Sequence, residues 1–104
     1  MTMSELVKYR EEFGDIAAEI TELLVRKRMD YGEESTARFG ELGILVRAWD
    51  KMCRLVHLLW DRRGAEPQNE SVEDTWRDLA GYAILALHAR RRGFARTAGG
   101  NQQR

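Results

Sequence analysis

The chain has 104 residues, enough for one domain around one modest core. Hydrophobic residues make up 43% and charged residues 33%, a balance that excludes a disordered chain. Lys+Arg and Asp+Glu both number 17, so formal net charge is zero, and a general nucleic-acid binder with its strongly basic domain is not expected.

The first helix is predicted from Ser4, a fair N-cap, to about Met29. Leu6, Tyr9, Phe13, Ile16, Ala17, Ile20, Leu23 and Leu24 recur at helical spacing and form one stripe. Residues Met1–Met3 are expected to carry nothing. The break falls at Asp30-Tyr31-Gly32, where glycine can take a left-handed C-cap conformation. Between Glu33 and Gly43 three glycines border or interrupt the pattern, so a loop with a short helical turn is expected there.

The second helix is predicted over about Leu42–Arg63. Leu45, Trp49, Met52, Cys53, Val56, Leu59 and Trp60 are assigned to its core face, and Asp50, Arg54, His57 and Asp61 to the opposite one, with Arg47 beside them. A polar turn follows at residues 64–69, around the single proline, Pro67. Ser71 and Asp74 resemble a capping box for the third helix, predicted over about Val72–Arg92 with a stop at Gly93. Val72, Trp76, Leu79, Ala83, Ala86 and Leu87 are assigned to its core face. Ala80–Leu87 is apolar nearly all round, with Ile84 and Leu85 turned away from that face. A helix apolar on every side is buried on every side. Three helices in one chain hardly achieve this, so a homo-oligomer is expected, at least a dimer.

The fold class that follows is all-α: about three long helices and a short helical turn, the bundle completed by oligomerisation. Residues 1–92 form a single helical domain, and residues 93–104, with Arg96 and Arg104 and no acidic residue, a flexible basic tail. Strands are not expected, because no stretch alternates apolar and polar residues. Cys53 is alone, which excludes an intrachain disulfide or a cysteine zinc cluster. No apolar run is long enough for a membrane and no signal peptide precedes the first helix, so a cytoplasmic location is expected.

Three groups of side chains are suited to chemistry. Asp74 and Asp78 lie four apart at the opening of the third helix, where both can point at one object. Mg²⁺, which prefers hard oxygen ligands, is the natural cation for such a pair. The plain structural alternative is that helix-opening acids favour the helix dipole, which explains Asp78 less well than Asp74. Glu19 and Glu22 form an E-x-x-E on the first helix, and inward carboxylates on paired helices are a recurrent way to build a metal site. Lys51 and Arg54 are suited to phosphate if their face lines a cleft. Otherwise Asp50, Arg54, His57 and Asp61 are a salt-bridged solvated face. His57 and His88 have no metal-like spacing and receive no role. There is no P-loop, no Rossmann glycine pattern and no nucleophile elbow.

The runs Lys27-Arg28-Met29-Asp30-Tyr31-Gly32, Phe39-Gly40-Glu41-Leu42-Gly43-Ile44, Asp50-Lys51-Met52-Cys53-Arg54-Leu55 and residues 70–83, in this order and spacing, resemble the nucleotide modification associated domain 1 family. The resemblance covers about Leu24–Leu87. That family is in turn similar to the all-α nucleoside triphosphate pyrophosphohydrolases, the MazG and dimeric dUTPase group. Those are helical oligomers that bind Mg²⁺ through an E-x-x-E and a later E-x-x-D. They cleave a nucleoside triphosphate to monophosphate and pyrophosphate. The resemblance implies Glu19 and Glu22 as the first motif and Asp78 as the aspartate of the second. Position 75 is threonine where the motif has glutamate, and Asp74 stands one residue out of register.

The reading that results is a nucleotide-binding helical oligomer of MazG-like type. If it is an enzyme, Glu19, Glu22, Asp74 and Asp78 hold Mg²⁺ and Asp30 positions or deprotonates the attacking water. Lys27, Tyr31, Lys51 and Arg54 then contact the substrate. The first alternative is a binder that sequesters a nucleotide or cyclic nucleotide without cleaving it, as a phage protein opposing a host defence would. The second is a helical adaptor that uses the apolar Ala80–Leu87 face for a protein partner.

Overall fold

A computed structural model describes residues 1–32, 38–62 and 70–92 of the chain. They are helical, with no strand among them. The predicted polar turn at residues 64–69, the stop at Gly93 and the basic tail lie outside the described residues. No helix among those described is long and apolar enough to cross a membrane. The chain forms two units, Met1–Gly32 and Glu33–Arg104.

The first unit is one helix, α1 (Met3–Tyr31). Its cap stands two residues before the predicted one, because Thr2 and not Ser4 closes its N-terminus. The Thr2 hydroxyl accepts the Glu5 N–H at 3.2 Å, and the Glu5 carboxylate accepts the Thr2 N–H at 2.8 Å. Two of the helix's orphan donors are satisfied reciprocally in this capping box. The hydrogen bond from the Thr2 backbone, and then that from its hydroxyl, hold the Glu5 carboxyl below its ordinary pKa. A lowered folded pKa means that the contribution is present above the usual carboxylate range and is lost as pH falls through the lowered value. Thr2→Ala is expected to loosen the first turn by about 1 kcal/mol at neutral pH. Protection of the amides at residues 3–7, relative to their intrinsic exchange at the same pH, should fall in the variant, and in the wild type as pH drops through the lowered Glu5 value. Unchanged protection in both would refute the cap's role.

At the other end Gly32 takes φ 73°, a value that favours glycine, and its N–H reaches Arg28 O at 2.8 Å. The break therefore falls where the sequence predicts it, although ψ of −179° lies outside the left-handed helical region. Along α1, Tyr9 and Phe13 stack one turn apart with ring centroids at 5.8 Å.

In the second unit, α2 (Gly40–Leu55) runs directly into a π-helical turn, Val56–Asp61, and α3 (Val72–Arg92) returns alongside. The π turn closes with Arg62 N–H on His57 O at 2.9 Å. Nothing in the residue pattern announces it. Gly43 is required by crowding, since a Cβ there would come within 2.6 Å of Phe39 Cβ. Ser71 caps α3 as predicted, its hydroxyl accepting the Asp74 N–H at 3.0 Å. The hairpin is antiparallel: side-chain partners advance along α2 as they retreat along α3, from Glu41–Arg90 to Lys51–Asp78 to Arg54–Thr75. The Arg90 guanidinium grips both Glu41 oxygens at 2.8 Å. Both side chains are well exposed, so solvent screens the pair and it adds little to stability.

The faces that pack differ from those predicted. Ile44, Leu55 and Leu58 are buried, whereas Leu45, Trp49, Met52, Cys53, Val56, Leu59 and Trp60 are exposed. On α3, Thr75 and Gly81 are buried, while Trp76, Ala83 and Leu87 are exposed and Leu85 is half-buried. The physical reason is that two helices cover only one face of each other. The seam they choose includes charged groups, Lys51 and Arg54 among them. The broadest apolar stripe of α2 is left outside it.

Candidate functional site

One end of the hairpin carries a dense polar cluster. Lys51 and Arg54 stand three apart on α2 and so share a face. Glu70 precedes the cap of α3, and Thr75 and Asp78 stand three apart on its first two turns. Lys51 Nζ donates to both Glu70 oxygens at 2.9 Å and lies 3.0 Å from Asp78 Oδ2. Three N–H groups thus meet three oxygens, which saturates the ammonium. The Lys51 and Asp78 side chains are only 23% and 13% exposed, so this is not a solvated surface pair. Burial opposes the Lys51 charge, but the bonds and charges of Glu70 and Asp78 outweigh it and raise the lysine pKa.

Arg54 faces α3 and not the solvated side that the residue pattern assigns it. Its Nε donates to Thr75 Oγ1 at 3.0 Å and lies 3.4 Å from Glu70 Oε1. The Thr75 hydroxyl is fully buried, with Glu70 Oε1 at 2.9 Å and Ser71 O at 3.0 Å as acceptors for its one proton. The ledger does not close at Arg54. Its Nη2 is buried and has no hydrogen-bond partner among the described residues. A guanidinium nitrogen left so costs more than an ordinary missing bond.

Of the residues the sequence points to, Lys51 and Asp78 are therefore in direct contact, and Arg54 joins them through Glu70. Glu70 and Thr75 complete the cluster and were missed. Glu70 reads in sequence as a residue before a cap, and Thr75 as a departure from a motif. Position 75 holds a hydroxyl that ties Arg54 to Glu70. Asp74 lies outside the cluster: it is 59% exposed and accepts from Arg77 Nη1 at 3.1 Å. Asp74 and Asp78 share a face by spacing but serve different partners. His57 lies 3.7 Å from Asp61, and both are exposed, as a solvated face predicts. Glu19, Glu22, Lys27, Asp30 and Tyr31 all stand on α1, in the first unit.

A divalent ion needs carboxylate oxygens free to approach to about 2.1 Å. Those of Glu70 and Asp78 already bind an ammonium, and Asp74 is directed elsewhere. Among the described residues no group of three or more His, Cys, Asp or Glu side chains is arranged to hold a metal. The second unit, arranged in this way, does not fit Mg²⁺.

Comparison of the chain with protein-family models, with curated proteins and with solved structures finds no match.

Proposed function

We propose that the chain is a nucleotide-binding helical oligomer in which Arg54, beside Lys51, receives a phosphate of the ligand, and that it holds the nucleotide without cleaving it. The observation that carries this reading is the donor balance at Arg54. Its guanidinium is steered by Thr75 and Glu70, yet Nη2 is left without an acceptor among the described residues. A phosphate oxygen is a strong acceptor for a planar guanidinium, which grips it in a fixed geometry. Nη2 is shielded from water, so the phosphate reaches it as the side chains around it shift. Binding is favoured over hydrolysis because Asp78 is engaged by Lys51, and because position 75 holds a hydroxyl in place of a third carboxylate. The resemblance described above supports the nucleotide as the class of ligand. The exposed apolar side chains of α2 and α3 support the oligomer.

The test is a mass balance on a nucleotide panel that includes cyclic nucleotides, incubated with protein and Mg²⁺. The free fraction is chromatographed before and after the protein is heat-denatured. The expected result is one ligand that leaves the free fraction and returns intact. Arg54→Lys should weaken its binding about tenfold or more, because an ammonium cannot reproduce the fork. Monophosphate and pyrophosphate as products would replace this reading with the Mg²⁺-dependent hydrolase. No loss from the free fraction for any nucleotide would favour the adaptor.

A further inference from the structure

The three oxygens around Lys51 Nζ are arranged as a hard cation would have them. Glu70 offers both of its carboxylate oxygens and Asp78 offers one, all directed at a single point from two different segments. A bidentate carboxylate facing a monodentate one is a common half-shell for a divalent ion, with water or a ligand filling the rest. Here the point is taken by a nitrogen at 2.9, 2.9 and 3.0 Å. Two carboxylates that share one ammonium repel each other unless cations compensate them; Lys51 bridges both, whereas Arg54 Nε lies 3.4 Å from Glu70 Oε1.

We infer that Lys51 is the built-in cation of a latent divalent-metal site formed by Glu70 and Asp78, and that the lysine keeps metal out of it. The hairpin end then holds together whatever the supply of divalent ions, and nucleotide binding at Arg54 needs none at this position. The ammonium is tethered, so its local concentration is fixed by the helix. A free ion must displace it to enter. The inference does not depend on the identity of any ligand, nor on whether a nucleotide binds at all.

The experiment is a Mn²⁺ titration of the full chain, followed by electron paramagnetic resonance of the free ion. The wild type should show no binding that Asp78→Asn removes. Lys51→Met deletes the charge and keeps the stem's volume, so it should take up one Mn²⁺ about tenfold or more tightly than the wild type. Adding Glu70→Gln or Asp78→Asn to Lys51→Met should abolish that site. Two results overturn the inference: wild-type binding that disappears in Asp78→Asn, or a folded Lys51→Met that binds no better than wild type. If Lys51→Met is unfolded in metal-free buffer, circular dichroism decides. Helix regained on adding Mn²⁺ supports the inference, and helix that stays lost overturns it.

Discussion

Thr75→Val is expected to destabilise the protein by about 2 kcal/mol, more than Thr75→Ser at about 1 kcal/mol. The order is the informative part. Valine matches threonine in shape and is as β-branched, so it leaves no cavity and brings no new helix penalty. Serine removes a buried methyl and keeps the hydroxyl. If Thr75 were merely packed, serine would be the worse replacement. The contacts reverse this, because the hydroxyl is fully buried and is the acceptor for Arg54 Nε at 3.0 Å. It is also a donor within reach of Glu70 Oε1 at 2.9 Å. Arg54 already has Nη2 without a partner among the described residues, so valine would weaken a second donor of the same guanidinium. Urea denaturation of the three proteins at neutral pH measures the difference. A valine variant within about 0.5 kcal/mol of wild type would show that the hydroxyl network contributes little.

The same cluster shows what the residue pattern could and could not reveal. Helix type and position were readable: α3 occupies the predicted Val72–Arg92, and the α1 break falls at Gly32. Those features depend on local signals, a serine cap and a glycine end, that act within a few residues. The facing of the helices was not readable, because hydrophobic periodicity says which side of a helix avoids water but not what covers it. On α2 the widest apolar stripe, from Leu45 to Trp60, was assigned to the core, yet the seam with α3 runs through Lys51 and Arg54 instead. The antiparallel register of the hairpin brings position 51 to 78 and 54 to 75. That register depends on the connection between the helices, whose length fixes it only once both helix ends are known. Glu70 was invisible for the same reason. It stands outside the helix, and only the returning chain brings it to Lys51. The π turn at Val56–Asp61 has no glycine or proline to mark it.

The stripe that α3 does not cover leads to the second large effect. The protein should run at twice 12.1 kDa or more in light scattering, and Leu45→Glu should return it to the monomer mass without loss of helix. Leu42, Leu45 and Trp49 are 69%, 58% and 67% exposed. Leu42 and Leu45 line a mostly apolar groove of about 500 Å³ between α2 and α3, with Leu79, Ala83 and Ala86 opposite and the Glu41–Arg90 pair at its end. Soluble monomers rarely leave so much contiguous apolar surface to water. Among the described residues of its unit the two-helix hairpin has no third element to close such a groove, and the first unit is a single helix whose stripe likewise has no cover within that unit. A second copy supplies what each lacks, and in a two-fold pair every interface residue counts twice. Losing two buried leucines and burying two carboxylates should weaken association by about 3 kcal/mol or more, beyond a hundredfold in the dimer constant. Because Leu45 is exposed, the substitution leaves the buried Ile44, Leu55 and Leu58 in place, and circular dichroism should match the wild type. A wild type that is monomeric at all concentrations would remove the oligomer from the proposal, and the groove would then be left for a different protein partner.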